Sequence, residues 1–89
     1  MPYKLIIVDG KCWQKDCDAI DRTHMLRVLQ AIKKLEKDPW DKNIQVKQLK
    51  NYELADYRLR IGNYRILFNK NDDVKTILLL RILHRSKLY

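Results

Sequence analysis

The chain is short of the residues that build secreted, metal-clasped or membrane-embedded domains. It has two cysteines, two glycines, two prolines and one phenylalanine in 89 residues. Cys12 and Cys17 lie five positions apart, which fits neither a Cys-x-x-Cys redox pair nor a zinc knuckle, and no second ligand pair sits nearby. They are expected to be partly buried thiols on a helix, and no metal or cofactor is expected. No stretch approaches the ~20 apolar residues of a membrane helix. The N-terminus runs directly into Tyr3 to Val8, too short and wrongly flanked for a signal peptide. Cytoplasmic residence, with no membrane partner, is the expectation. Without repeats, a low-complexity tract or a linker, one domain over 1–89 is the simplest organisation.

Acidic residues are scarce in the second half. Residues 1–46 hold nine Lys/Arg against seven Asp/Glu, a balance of +2, whereas residues 47–89 hold ten against four, a balance of +6. The formal net charge of +8 is therefore concentrated in one half of the chain. A one-sided basic field attracts polyanions, nucleic acid first among them.

Tyr3 to Val8 reads as a strand. Asp9 can cap a helix from Lys11 to about Ile20, with Trp13, Cys17 and Ile20 on its apolar stripe. Asp21 or Thr23 starts a second helix, whose inner face is Met25, Val28, Leu29, Ile32 and Leu35; Asp38-Pro39 ends it. His24 is expected at the surface of this helix, away from the strands that follow. Pro39 to Lys50 is irregular, with Trp40 expected to plug one end of the core and Val46 and Leu49 to anchor a loop or short strand. Asn51 suits a turn because it tolerates positive φ.

The last third is the most regular. Tyr57, Leu59 and Ile61 alternate with Arg58 and Arg60, so the arginines share one strand face. After Gly62-Asn63 the alternation restarts, with Tyr64, Ile66 and Phe68 on one side and Arg65 and Leu67 on the other. Asn71-Asp72-Asp73 punctuates, and Val74 to Leu83 reads as a strand apolar enough to be buried on both faces. The result is an α+β domain in the order β-α-α-β-β-β, a sheet of about four strands with two N-terminal helices packed on it. Its three last strands are expected to gather Arg58, Arg60, Arg65, His84, Arg85 and Tyr89 at one surface.

Gln48-Leu49-Lys50-Asn51, the Arg58-Leu59-Arg60 strand, Asn63-Tyr64-Arg65 and the ending His84-Arg85 to Tyr89 resemble the RelE/ParE toxin superfamily of prokaryotic toxin–antitoxin systems. The order and spacing of these elements, rather than any one of them, carry the likeness. The resemblance implies a ribosome-dependent mRNA endonuclease that uses the RNA's own 2′-hydroxyl as nucleophile, leaving a 2′,3′-cyclic phosphate and a 5′-hydroxyl. It implies Arg65 and Arg85 as phosphate-facing arginines, Arg58, Arg60 and Lys50 as RNA-binding residues, and Tyr89 as a terminal catalytic tyrosine. The partners it implies are a RelB-like antitoxin, the ribosome and mRNA, and operator DNA bound by the toxin–antitoxin hetero-oligomer.

Two departures from that pattern bear on chemistry. Asn51 and Asn63 stand where the family has glycines, and Arg58 and Arg60 replace a basic pair that is lysine in some members. Arginine does not readily give up its proton, so a base role held by lysine elsewhere passes here to His84 or Tyr89. Two rival functions use the same fold or the same charge. One is a ParE-like inhibitor of DNA gyrase, which needs no converging acid–base set. The other is a non-catalytic nucleic-acid-binding domain, which would not depend on His84 or Tyr89.

Overall fold

The structure, a computed structural model, describes residues 2–87. Its order is β1 (Lys4–Ile7), α1 (Gly10–Asp18), α2 (Arg22–Lys37), β2 (Gln45–Gln48), β3 (Tyr57–Ile61), β4 (Tyr64–Asn71), β5 (Thr76–His84) and a short 3₁₀ turn, Arg85–Lys87. Tyr89 lies outside the described residues. The aspartates expected to start the helices do so: Asp9 accepts from the Cys12 N–H at 3.1 Å and Asp21 from the His24 N–H at 2.9 Å. Each satisfies one of the orphan donors of a helix first turn.

The strands form one sheet in the order β1-β5-β4-β3-β2, with β1 parallel to β5 and the other pairs antiparallel. The α+β class stands, and the sheet has five strands rather than about four because Gln45–Gln48 joins it as an edge strand. That strand is only four residues long and polar at both ends, so alternation alone did not reveal it.

Both helices cover one face of the sheet. Trp13, Ile20, Val28, Ile32 and Leu35 pack there against Leu59, Ile66, Phe68, Ile77, Leu79 and Ile82. Burying each large apolar side chain stabilises the fold by about 1.5–3 kcal/mol. Leu29, expected on this face, is 47% exposed, because the stripe from Met25 through Val28, Ile32 and Leu35 already fills the helix–sheet contact. Trp40 does not plug the core either. It is 59% exposed, and buried Pro39 occupies the core position instead. The Trp40 ring lies over the Lys70 ammonium at 3.9 Å and meets Tyr57 edge-on.

Two turns set the geometry of the outer face. Between β3 and β4, Gly62 takes positive φ (57°) and Asn63 does not. Positive φ at the first central residue is the pattern of a type II′ hairpin, and glycine fills it without steric cost. Asn51 adopts φ 56°, as its residue type allows. In the middle of the sheet the pairing slips: Leu67 faces Arg81 while Phe68 faces Leu79, leaving Leu80 as an extra residue in β5. This bulge reverses the facing of every residue after it in β5.

Candidate nucleic-acid interface

Lys47 of β2, Arg58 and Arg60 of β3 and Arg65 of β4 fall on the sheet face opposite the helices, whereas Lys70 of β4 is in phase with Ile66 and Phe68 on the helix side. Lys47 stands opposite Arg58, and Arg60 opposite Arg65. None of the five strands contains an aspartate or glutamate. Like charges directly opposite in an antiparallel pair are destabilising, so the Lys47–Arg58 row is a cost to the fold. Lys50 joins them: with Lys47, Gln48, Leu49 and Arg58 it lines a groove of about 430 Å³. Lys47 was not legible as a site residue from sequence, since its facing follows only once Gln45–Gln48 is known to be a strand.

Arg65 is buried, with 8% of its surface exposed. Its Nη1 donates to the carbonyl oxygens of Gly62 at 2.8 Å and Tyr64 at 2.9 Å. The guanidinium therefore holds the β3–β4 turn from within, beside Arg60. Arg85 is exposed at the start of the 3₁₀ turn, and its backbone N–H donates to the Asn63 carbonyl at 2.7 Å. The end of β5 is thereby tied to the same hairpin.

His84 is not on the arginine face. It pairs with Tyr64, whose ring it meets edge-on with centroids 5.5 Å apart, on the helix side of the sheet. The bulge at Leu80 is the physical reason, because it puts Ile82 and His84 in phase with Ile77 and Leu79. The expected single surface is thus two surfaces meeting at the β3–β4 hairpin, with Arg58, Arg60 and Arg65 on one and His84 on the other. His24, expected away from these strands, is also there: its ring lies 5.6 Å from Tyr64 on the other side, and its Nδ1 is 2.8 Å from the Asp21 carboxylate.

The surroundings of His84 fix its tautomer. Its Nδ1 lies 3.2 Å from the Ser86 backbone N–H and 2.9 Å from Ser86 Oγ. A backbone N–H can only donate, so Nδ1 accepts and the neutral ring carries its proton on Nε2. Neutral His84 thus offers a donor at Nε2. It borders a cleft of about 240 Å³ shared with Tyr64, Arg81 and Lys87.

The Cys17 thiol is structural. Burial pushes the Cys17 thiol up, and Asp16 and Asp18 push it further, so it is a poor nucleophile. Among the described residues no group of three His, Cys, Asp or Glu side chains converges to hold a metal ion. No described helix is long and apolar enough to cross a membrane.

A five-stranded sheet with two helices on one face and paired cations on the other defines a small basic α+β domain. Residues 13–89 match the family model for the ParE toxin of type II toxin–antitoxin systems, parDE, and the chain belongs to that family. The resemblance to the RelE/ParE superfamily is thereby borne out. Over 49 residues the chain is 43% identical to Toxin RelE3 of Methanocaldococcus jannaschii, spanning 55% of this chain and about half, 52%, of that relative. Its fold is similar to RelE in the archaeal RelE–RelB complex from Pyrococcus horikoshii, with a TM-score of 0.77 and 27% identity over 98% of this chain and 99% of that one. It is also similar to the RelB–RelE antitoxin–toxin complex of Methanococcus jannaschii, with a TM-score of 0.71 and 28% identity, covering 97% and 94% of the two chains.

Proposed function

We propose that this protein is a ribosome-dependent mRNA endonuclease, the toxin of a toxin–antitoxin pair held in check by a RelB-like antitoxin. The observation that supports this best is the like-charge row of Lys47 opposite Arg58, with Arg60 in the next row of the same sheet face. A fold retains such rows at a cost in stability when an anionic ligand neutralises them.

In this reading Lys47, Lys50, Arg58 and Arg60 hold the RNA backbone, each as a phosphate contact whose strength falls with salt. Arg85 and Arg65 supply permanent positive charge to the phosphorane oxygens as charge develops there. Tyr89, acting as the phenolate, takes the proton of the 2′-hydroxyl. His84 presents its Nε2–H: the neutral ring hydrogen-bonds substrate through it, and the imidazolium gives that proton to the leaving 5′-oxygen. The 2′-oxygen attacks the adjacent phosphorus, the bond to the 5′-oxygen breaks, and a 2′,3′-cyclic phosphate remains. With no sharply tuned acid–base pair in the described residues, the decoding site supplies orientation and effective concentration. Primer extension on an mRNA incubated with the protein, with and without ribosomes, tests this: stops within the message only when ribosomes are present support it.

The family match to ParE favours one second reading, inhibition of DNA gyrase without any cleavage. A supercoiling assay run beside the primer extension separates the two. Loss of supercoiling with an intact message would install the gyrase reading in place of the nuclease.

A further inference from the structure

A second cationic surface lies around the corner from the outer face, in the cleft between α2 and the β2–β3 edge. The cleft measures about 440 Å³, and its walls carry Arg27, Gln30 and Lys34 from α2, Asn43 and Gln45 before and within β2, and Arg60 from β3. Arg27, Gln30 and Lys34 are spaced three and four residues apart and so form one helix ridge. Arg27 leans over the β3–β4 hairpin, with Nη1 3.9 Å from where a side chain at Gly62 would begin. No acidic residue lines the cleft. Among the described residues no carboxylate stands within ion-pair distance of Arg27, Lys34 or Arg60.

We infer that this cleft binds the phosphodiester backbone of single-stranded RNA that passes from the arginine face of the sheet over the β3–β4 hairpin. Arg60 borders both surfaces: its side chain belongs to the outer face opposite Arg65, and the residue lines the cleft at the β2–β3 edge. Arg27, Lys34 and Arg60 bring three positive charges to one cleft, which suits the charge of a phosphodiester backbone. Gln30, Asn43 and Gln45 each offer both donors and acceptors, which suits base edges. Its apolar lining, Ala31, Ile44, Leu59 and Ile61, is buried or half-buried, with Leu59 1% exposed, which leaves little apolar surface for a helical peptide to anchor on. The volume is suited to one or two nucleotides rather than a folded partner.

The inference deepens the nucleic-acid reading of the outer face and does not depend on cleavage. Its test therefore uses RNA that cannot be cut and no ribosomes. The intact chain is titrated with a fully 2′-O-methylated single-stranded RNA, following backbone and side-chain amide signals and, separately, affinity against salt. Shifts are expected at Gly62, Ala31, Ile44 and the side-chain amides of Gln30, Asn43 and Gln45. The Arg27→Gln, Lys34→Gln double variant is expected to lose affinity on the order of tenfold at low salt, with the salt slope reduced by about 1.4 for two lost single-strand phosphate contacts. Both residues are at the surface, so the variant's amide spectrum away from the cleft reports that it folds. Shifts confined to the Lys47, Arg58 and Lys50 surface, or an unchanged slope in the double variant, would overturn the assignment. Equal shifts from an oligoglutamate of the same length would also overturn it, by showing a general acid-binding groove. Loss of ribosome-dependent cleavage with cleft binding intact would reject the nuclease and leave the cleft standing.

Discussion

Asp16 of α1 and Arg81 of β5 form a two-point ion pair, with Nε to Oδ2 at 2.7 Å and Nη2 to Oδ1 at 2.9 Å. The same carboxylate accepts from the backbone N–H of Ile82 at 3.0 Å. β1 pairs with β5 only through Leu79, so the edge of β5 beyond that point has no strand neighbour there. Asp16 takes over where β1 stops. It closes an open sheet edge with a helix side chain and holds the segment that ends in His84 and Arg85.

Replacing Asp16 by Asn keeps the shape and removes the charge, so it is expected to destabilise by about 1–3 kcal/mol. For a domain of this size each kcal/mol lowers Tm by roughly 4–8 °C. Burial alone would raise the Asp16 pKa, but the hydrogen bonds from Arg81 and Ile82 and the Arg81 charge outweigh it, and the net direction is down. A carboxyl lowered by folding contributes stability that is full above its unfolded value, about 3.9, and is lost as pH falls through the folded value. Thermal melts below about pH 4 should show this acid loss in the wild type and a shallower one in Asp16→Asn.

At the opposite end of the sheet Tyr3 donates to Asp72 at 2.5 Å, and Asp72 also pairs with the nearly buried Lys70 at 2.6 Å. The hydrogen bond to Asp72, then burial, pushes the Tyr3 pKa up to about 12. A phenol raised by folding contributes stability that is full below its unfolded value near 10 and is lost as pH rises towards 12. Ultraviolet titration of tyrosinate should find one tyrosine resisting ionisation, and Tyr3→Phe should abolish that lag. Trp40→Ala, which uncovers the Lys70 ammonium, is expected to cost about 0.5–2 kcal/mol in chemical denaturation.

Arg58 and Arg65 should separate by stability. Arg58→Ala removes a half-exposed cation from a like-charge row, so it should leave Tm unchanged or raise it while weakening RNA binding and flattening its salt dependence. Arg65→Ala removes a buried guanidinium that satisfies two carbonyls of the hairpin, and is expected to cost about 1–3 kcal/mol in denaturant melts.

The alternation of Tyr57 to Phe68 made the arginine face legible in the sequence, and the helix cap at Asp9 was equally plain, whereas Asp21 was one of two candidates, with Thr23, for the second cap. What stayed hidden has a common cause in tertiary context. The Leu80 bulge carries no residue signature, since Leu78 to Leu80 is uniformly apolar, yet it decides which face His84 joins. Gln45–Gln48 becomes a strand because β3 offers it an edge, so Lys47 could not be assigned to a face from its own segment. His24 meets Tyr64 because the first turn of α2 crosses the hairpin, a contact between residues forty positions apart. Asp16, one acid among several on α1, is distinguished only by the β5 edge it fills.

Single-turnover cleavage of message on programmed ribosomes, at saturating protein, tests the nuclease reading most directly. The wild type should cut, and Arg85→Ala should cut about 10²–10³-fold more slowly at unchanged occupancy, as for a lost preorganised transition-state donor. Tyr89→Phe and His84→Ala should each be slowed in the chemical step, whereas Lys47→Ala and Arg58→Ala should recover the wild-type rate once bound. Cleavage at the wild-type rate by Arg85→Ala, Tyr89→Phe and His84→Ala alike, or an uncut message with the wild type, would contradict it.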